Sequence, residues 1–169
     1  MLRPQDLVIA LHLATGQVLP QRAMSDALGL SQPEISNALR RLRAAHLLLQ
    51  EGQEVILPNL LEFCVHGVRY AFAAEVGRPL RGIPTAAMVS PLKERISGED
   101  GLLVWPAPDG EERAPALEPL HTCVVHAARR DPKLYRMLAL VDGIRIGKNR
   151  MRAIAAELLA NELAPDGQA

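Results

Sequence analysis

The sequence predicts a mainly helical fold with small β elements, and three observations point there. Leu and Ala, the strongest helix formers, fill 51 of the 169 positions (27 Leu and 24 Ala), whereas aromatic residues make up only 3%. With 49% apolar and 22% charged residues the chain can bury a real core, which excludes general disorder. Apolar residues also recur at helical spacing through several windows. The length suits one domain or two small ones, and the expected division is 1–58 and 59–169. No apolar run approaches the roughly 18 residues of a membrane span. The stretch after Met1 contains Asp6 and His12 and lacks a small-residue cleavage site, which argues against a signal peptide. Two cysteines, Cys64 and Cys123, are too few for a disulfide scaffold and suit a reducing cytoplasm, the expected location.

Taken in order, a leading helix is expected over about 4–15, with Leu7, Val8 and Leu11 inward. A short helix follows over 22–28, with Met24, Ala27 and Leu28 as its apolar edge, and Gly29 sits where a left-handed residue would end it. Ser31 then reads as an N-cap, Glu34 three residues on completes a capping box, and Pro33 lies in the first turn. Ile35, Ala38, Leu39, Leu42 and Ala45 form one apolar stripe. The opposite face carries Gln32, Ser36, Asn37, Arg40, Arg41 and Arg43. A hairpin is expected from Leu47–Leu49 and Val55–Leu57 around Gly52.

Residues 58–76 read as one helix, with Asn59 as N-cap, Gly77 as stop, and Leu60, Leu61, Cys64, Val65, Val68 and Phe72 at helical spacing. The 78–119 stretch holds seven of the thirteen prolines, strand candidates at 86–89 and 102–105, and a turn at Pro108-Asp109-Gly110. Within it, 78–85 reads as a stiff cationic loop, a linker first and a contact for an acidic partner or ligand second. Trp105 is expected to anchor the core. Helices return over 121–130, over 132–143 with Asp131 as cap and Pro132 in the first turn, and over 148–163. The tail 164–169 is expected to fray.

The net charge of zero hides blocks. Residues 94–118 hold seven acids against Arg95 and Arg113; residues 129–152 hold eight bases against Asp131 and Asp142. Solvated helix faces explain this most simply, and mutual pairing or opposite binding faces are the alternative. Residues 1–57 are balanced, five basic against five acidic, with three of the five arginines on the one helix 31–47.

Two helices joined by a tight turn, the second with a polar and cationic outer face, make a helix-turn-helix. The residue types suit DNA: a helix fits the major groove, amide and hydroxyl groups (Gln32, Ser36, Asn37) pair with base edges, and Arg grips guanine bidentately. Arg41 and Arg43 in the later turns, and Arg22 near the start of the preceding helix, can neutralise phosphates. Ser31, Gln32, Ser36, Asn37, Arg40, Arg41, Arg43 and Arg22 are therefore the expected DNA-binding residues.

The segment 4–58 resembles winged helix-turn-helix regulators of the MarR type. It carries Leu28-Gly29-Leu30-Ser31, Ile35-Ser36, Leu39 and Leu42 at that family's positions, followed by a hairpin in the place of the wing. The resemblance implies a bacterial, homodimeric, sequence-specific transcriptional regulator, a repressor by preference; the helices and strand candidates read above join it to an α+β C-terminal part with terminal helices. Two departures stand out. His46 occupies a position where the family usually has Gly, and the wing tip, Gln50-Glu51-Gly52-Gln53-Glu54, carries two acids and no cation. The wing is therefore expected to contribute little affinity.

Dimerisation is expected through the 58–76 helix and the stripes Leu134, Met137, Leu138, Val141 and Met151, Ile154, Leu158. The region 78–169 is not typical of MarR-type proteins and loosely resembles the partner-neutralising part of DNA-binding antitoxins, which gives the alternative reading: an autoregulator that binds a protein partner. Cys64 with His66, and His121 with Cys123 and His126, carry metal-ligand residue types, but the spacing matches no closed zinc motif and packing is the preferred reading. No G-x-S-x-G, Walker loop or H-E-x-x-H occurs, so neither catalysis nor a cofactor is expected.

Overall fold

In a computed structural model, which describes residues 1–99 and 101–165, helix α1 (Pro4–Ala14) is buried on every side from Asp6 to Leu13. A helix that is apolar around its whole circumference belongs inside. Its flanks pack on α3 (Gln32–Ala44) and on α7 (Pro132–Ile146), which is itself buried from Met137 to Arg145. These two central helices carry one hydrophobic cluster that runs from Leu7 through Ile35 and Leu60 to Leu163, without a break at the expected 58/59 boundary. The fold is α+β: helices around a small three-stranded mixed sheet.

Helix α2 (Gln21–Leu28) ends at Gly29, whose φ of +66° is the left-handed cap that the sequence calls for. Ser31 caps α3 and Glu34 returns the bond to the Ser31 amide, so the expected capping box is present. After α3 the backbone closes at His46, φ +58°, with the amides of His46 and Leu47 bonded to the carbonyls of Arg43 and Leu42. That is the Schellman arrangement with histidine where glycine is commonest. The expected hairpin is present as a single bridge between Leu48 and Val55, with the amides of Leu49 and Ile56 donating to the carbonyls of Glu54 and Leu47.

The expected helix over 58–76 is shorter and irregular. It runs as α4 (Leu57–Glu62), a π turn (Phe63–Gly67) and α5 (Val68–Ala71). Asn59 is not its cap; its side chain instead donates to the His46 carbonyl at 2.7 Å. The helix stops before Phe72, whose freed carbonyl accepts from Arg145 Nε at 3.0 Å, and Gly77 lies in a strand.

That strand, β1 (Val76–Ala86), replaces both the expected 78–85 loop and the expected 86–89 strand; Ala86 ends β1 and residues 87–90 turn away. It pairs antiparallel with β3 (Glu112–Leu117) along its first half and with β2 (Leu102–Pro106) along its second. Val104 and Ala116 close the barrel. With a neighbour on only one side over most of its length, β1 tolerates Pro79 and Pro84, whose missing amides can face the open side. Both ladders meet at Gly82, where a Cβ would overlap the Trp105 carbonyl.

Helices α6 (Val124–Ala128), α7 and α8 (Asn149–Leu163) follow, with Asp131 capping α7 through the amides of Lys133 and Leu134. Trp105 anchors the core as expected. Its indole donates to Asp142 at 2.7 Å, and Asp142 also accepts from Thr85 and Arg145. The apolar stripes expected to form a dimer interface are instead used inside the chain: Leu60, Cys64, Leu134, Met137, Leu138, Val141, Met151 and Leu158 are all buried in the monomer. Of the two charge blocks, Asp109 and Arg129 pair across. The fraying expected for 164–169 falls mostly outside the described residues. No helix among the described residues is long and apolar enough to cross a membrane.

Candidate nucleic-acid interface

The inner face of α3 is closed: Ile35, Ala38, Leu39 and Leu42 are 0–2% exposed. Burial of each large aliphatic side chain there contributes about 1.5–3 kcal/mol, which fixes the helix's rotation about its own axis. The residues opposite, Gln32, Ser36, Asn37 and Arg40, are consequently exposed. Arg40 donates to Asn37 at 3.0 Å one turn back, so the two polar heads are held side by side. Arg22 is exposed near the start of α2.

The other expected contacts have local partners. The Ser31 hydroxyl and amide both bond to Glu34, and these bonds hold the Glu34 carboxyl below its ordinary range. Arg41 points inward and donates from Nε and Nη2 to the buried carboxylate of Asp6, at 2.7 and 2.6 Å. That bond raises the guanidinium's already high pKa, so Arg41 is a fixed structural cation. Arg43 donates to the Gly52 carbonyl at 2.7 Å and fastens the hairpin tip to α3. Gln53, from the same tip, donates to the Leu19 carbonyl at 3.1 Å.

One neighbour of the α2–α3 turn was not foreseen. Helix α6 packs along α2, and the His126 ring covers Gly29; a Cβ on Gly29 would stand 3.0 Å from it. Nε2 of His126 lies 3.0 Å from the Asp26 carbonyl, a freed carbonyl at the end of α2. Nothing near Gly29 in sequence signals this contact, which spans about a hundred residues.

The cysteines behave as packing groups. Burial pushes the thiols of Cys64 and Cys123 up to about 12, where the thiolate needed for metal binding or nucleophilic attack is scarce. His66 is exposed, and His121 Nδ1 accepts from the Cys123 amide. Among the described residues no three His, Cys, Asp or Glu side chains gather to hold a metal ion. No family model, curated protein or solved structure matches the chain.

Proposed function

We propose that the chain is a sequence-specific DNA-binding transcriptional regulator, a winged helix-turn-helix protein that acts as a repressor and lays α3 in the major groove. The observation that carries this reading is the orientation of α3. Its apolar stripe is sealed against the core, and Gln32, Ser36, Asn37 and Arg40 form the exposed face of its N-terminal two-thirds. Amide, hydroxyl and guanidinium groups at that place are the chemistry that reads base edges, and helices enter the groove with their N-terminal residues toward the bases. Arg22, exposed near the start of α2, supplies the cation for a flanking phosphate in this reading. The hairpin tip, with Glu51 and Glu54 exposed, adds no attraction to the DNA backbone.

A fluorescence titration of the full chain on the duplex upstream of its own coding sequence, repeated across salt concentrations, tests the proposal. The expected result is saturable binding that exceeds binding to an unrelated duplex, with a footprint of one half-site per chain. Equal, weak affinity for both duplexes at low salt would overturn it.

A further inference from the structure

The β1–β3 ladder places two arginines directly opposite each other. Arg81 and Arg113 are register partners on antiparallel strands, and both side chains are exposed. Opposed residues in such a ladder have Cβ atoms about 5 Å apart, and like charges there destabilise the sheet. Counter-ions could relieve this, yet none does: among the described residues neither guanidinium has an ion pair or a hydrogen bond, although Glu111 and Glu112 directly precede Arg113 in the chain. Arg78, also exposed, lies on the same strand. An unrelieved repulsion between two five-donor forks on a surface ribbon is what a phosphate-binding clamp looks like without its anion.

The ribbon's surroundings favour nucleic acid over an acidic protein. The Ala107 amide donates to the Arg81 carbonyl, so the ribbon carries the 107–110 turn, and Asp109 in that turn is bonded to Arg129 at 2.9 Å. Arg129 ends α6, the helix that lies along α2 and touches Asp26 and Gly29. A run of contacts thus joins the ribbon to α6, and α6 to α2. The ribbon around the two arginines offers Pro79 and Pro115 and none of the aromatic anchors that accompany arginine in protein-binding hot spots.

We infer that Arg81 and Arg113 form a second contact with the DNA phosphate backbone, beyond the site read by α3. This rests on the DNA-binding proposal and extends its footprint. Contacts of this kind add affinity without sequence preference.

The test is the salt dependence of binding by the full chain, on its own upstream duplex and on an unrelated duplex of equal length. In the double variant Arg81→Gln/Arg113→Gln, the slope of log K against log salt should become shallower by about 1.8, at about 0.9 per phosphate contact. The affinity ratio between the two duplexes should stay unchanged. Arg113→Glu is the second variant: it gives Arg81 a cross-strand partner, so its melting temperature should rise while binding to both duplexes weakens. A wild-type slope in either folded variant overturns the clamp alone, and would leave an acidic protein surface as the better occupant. Wild-type protein with no preference for its own duplex overturns the DNA-binding proposal and the clamp together.

Discussion

Arg41 donates two hydrogen bonds to Asp6, at 2.7 and 2.6 Å, and the Asp6 carboxylate is completely buried. The same carboxylate accepts the Arg3 amide at the start of α1. The pair therefore ties α3 to the central helix α1 and fixes a cation that would otherwise lie free at the edge of the exposed α3 face. Removing one member of a buried pair is costly because the other charge stays behind, and the partial exposure of Arg41 softens the loss. Arg41→Met should lower stability in urea unfolding by about 3 kcal/mol, while the folded variant keeps DNA affinity within about twofold of the parent. A parent-like stability would show the bond to be idle.

Gly29 and His46 end successive helices in the same left-handed conformation, one with the residue suited to it and one without. Gly29→Ala adds left-handed backbone strain of about 1–2 kcal/mol and presses a methyl against the His126 ring, so thermal unfolding should shift down by several degrees. His46→Gly removes such strain at the cost of a more flexible unfolded chain, and should gain about 0.5–1 kcal/mol. Opposite signs in the two melting curves are the expected result.

The local signals were readable without a structure because each is written within a few residues. The capping box of Ser31 and Glu34, the Gly29 stop and the Asp131 cap are bonds between near neighbours. The helical stripes likewise reported burial correctly, but periodicity does not say against what: Leu134, Met137 and Leu138 pack inside the chain and not on a second copy. Strand β1 was hidden because Pro79, Gly82 and Pro84 read as breakers, and only a strand with one neighbour at a time accommodates them. Within α3, Arg41 and Arg43 stand about 100° to either side of the stripe, while Arg40 stands nearly opposite it. Residues on that border turn inward or outward according to partners elsewhere, here Asp6 and the Gly52 carbonyl.

The buried knot at Asp142 joins α7 to the barrel through Thr85 and Trp105, with Arg145 of the same helix as its third donor. Burial pushes the Asp142 carboxyl up, while Arg145 and the donors around it pull it down. Arg145, also bonded to the Phe72 carbonyl, is buried too. Asp142→Leu should cost about 3–5 kcal/mol because it strands the guanidinium. Adding Arg145→Met should recover a good part of that, so the two losses in a double-mutant cycle should be far from additive.

Arg40 is the α3 cation free to face a ligand, held only by Asn37. If it reads a base, Arg40→Ala should weaken binding to the protein's own duplex by about 1–3 kcal/mol and relax specificity at one position. Arg22→Ala should instead weaken binding evenly across sequences. Titrations against a set of single-base variants of the duplex separate the two, and a uniform loss for Arg40→Ala would reassign it to the backbone.

His12 lies inside α1 at 2% exposure, and its Nε2 has no hydrogen-bond partner. Burial lowers its pKa from the ordinary 6.5, against an opposing pull from the Asp131 carboxylate. The folded protein thus holds the ring neutral at a pH where the unfolded chain already protonates it. Below the unfolded value the unfolded state binds more protons, so stability is fully present above pH 6.5 and falls as the pH drops toward the folded value. One proton's difference is worth at most about 1.4 kcal/mol per pH unit. Urea unfolding between pH 7.5 and about 5.5 should show a decline that is flatter in His12→Leu, a variant that also removes the unpartnered nitrogen. Parallel curves for the two proteins would mean that the acid sensitivity belongs to another group.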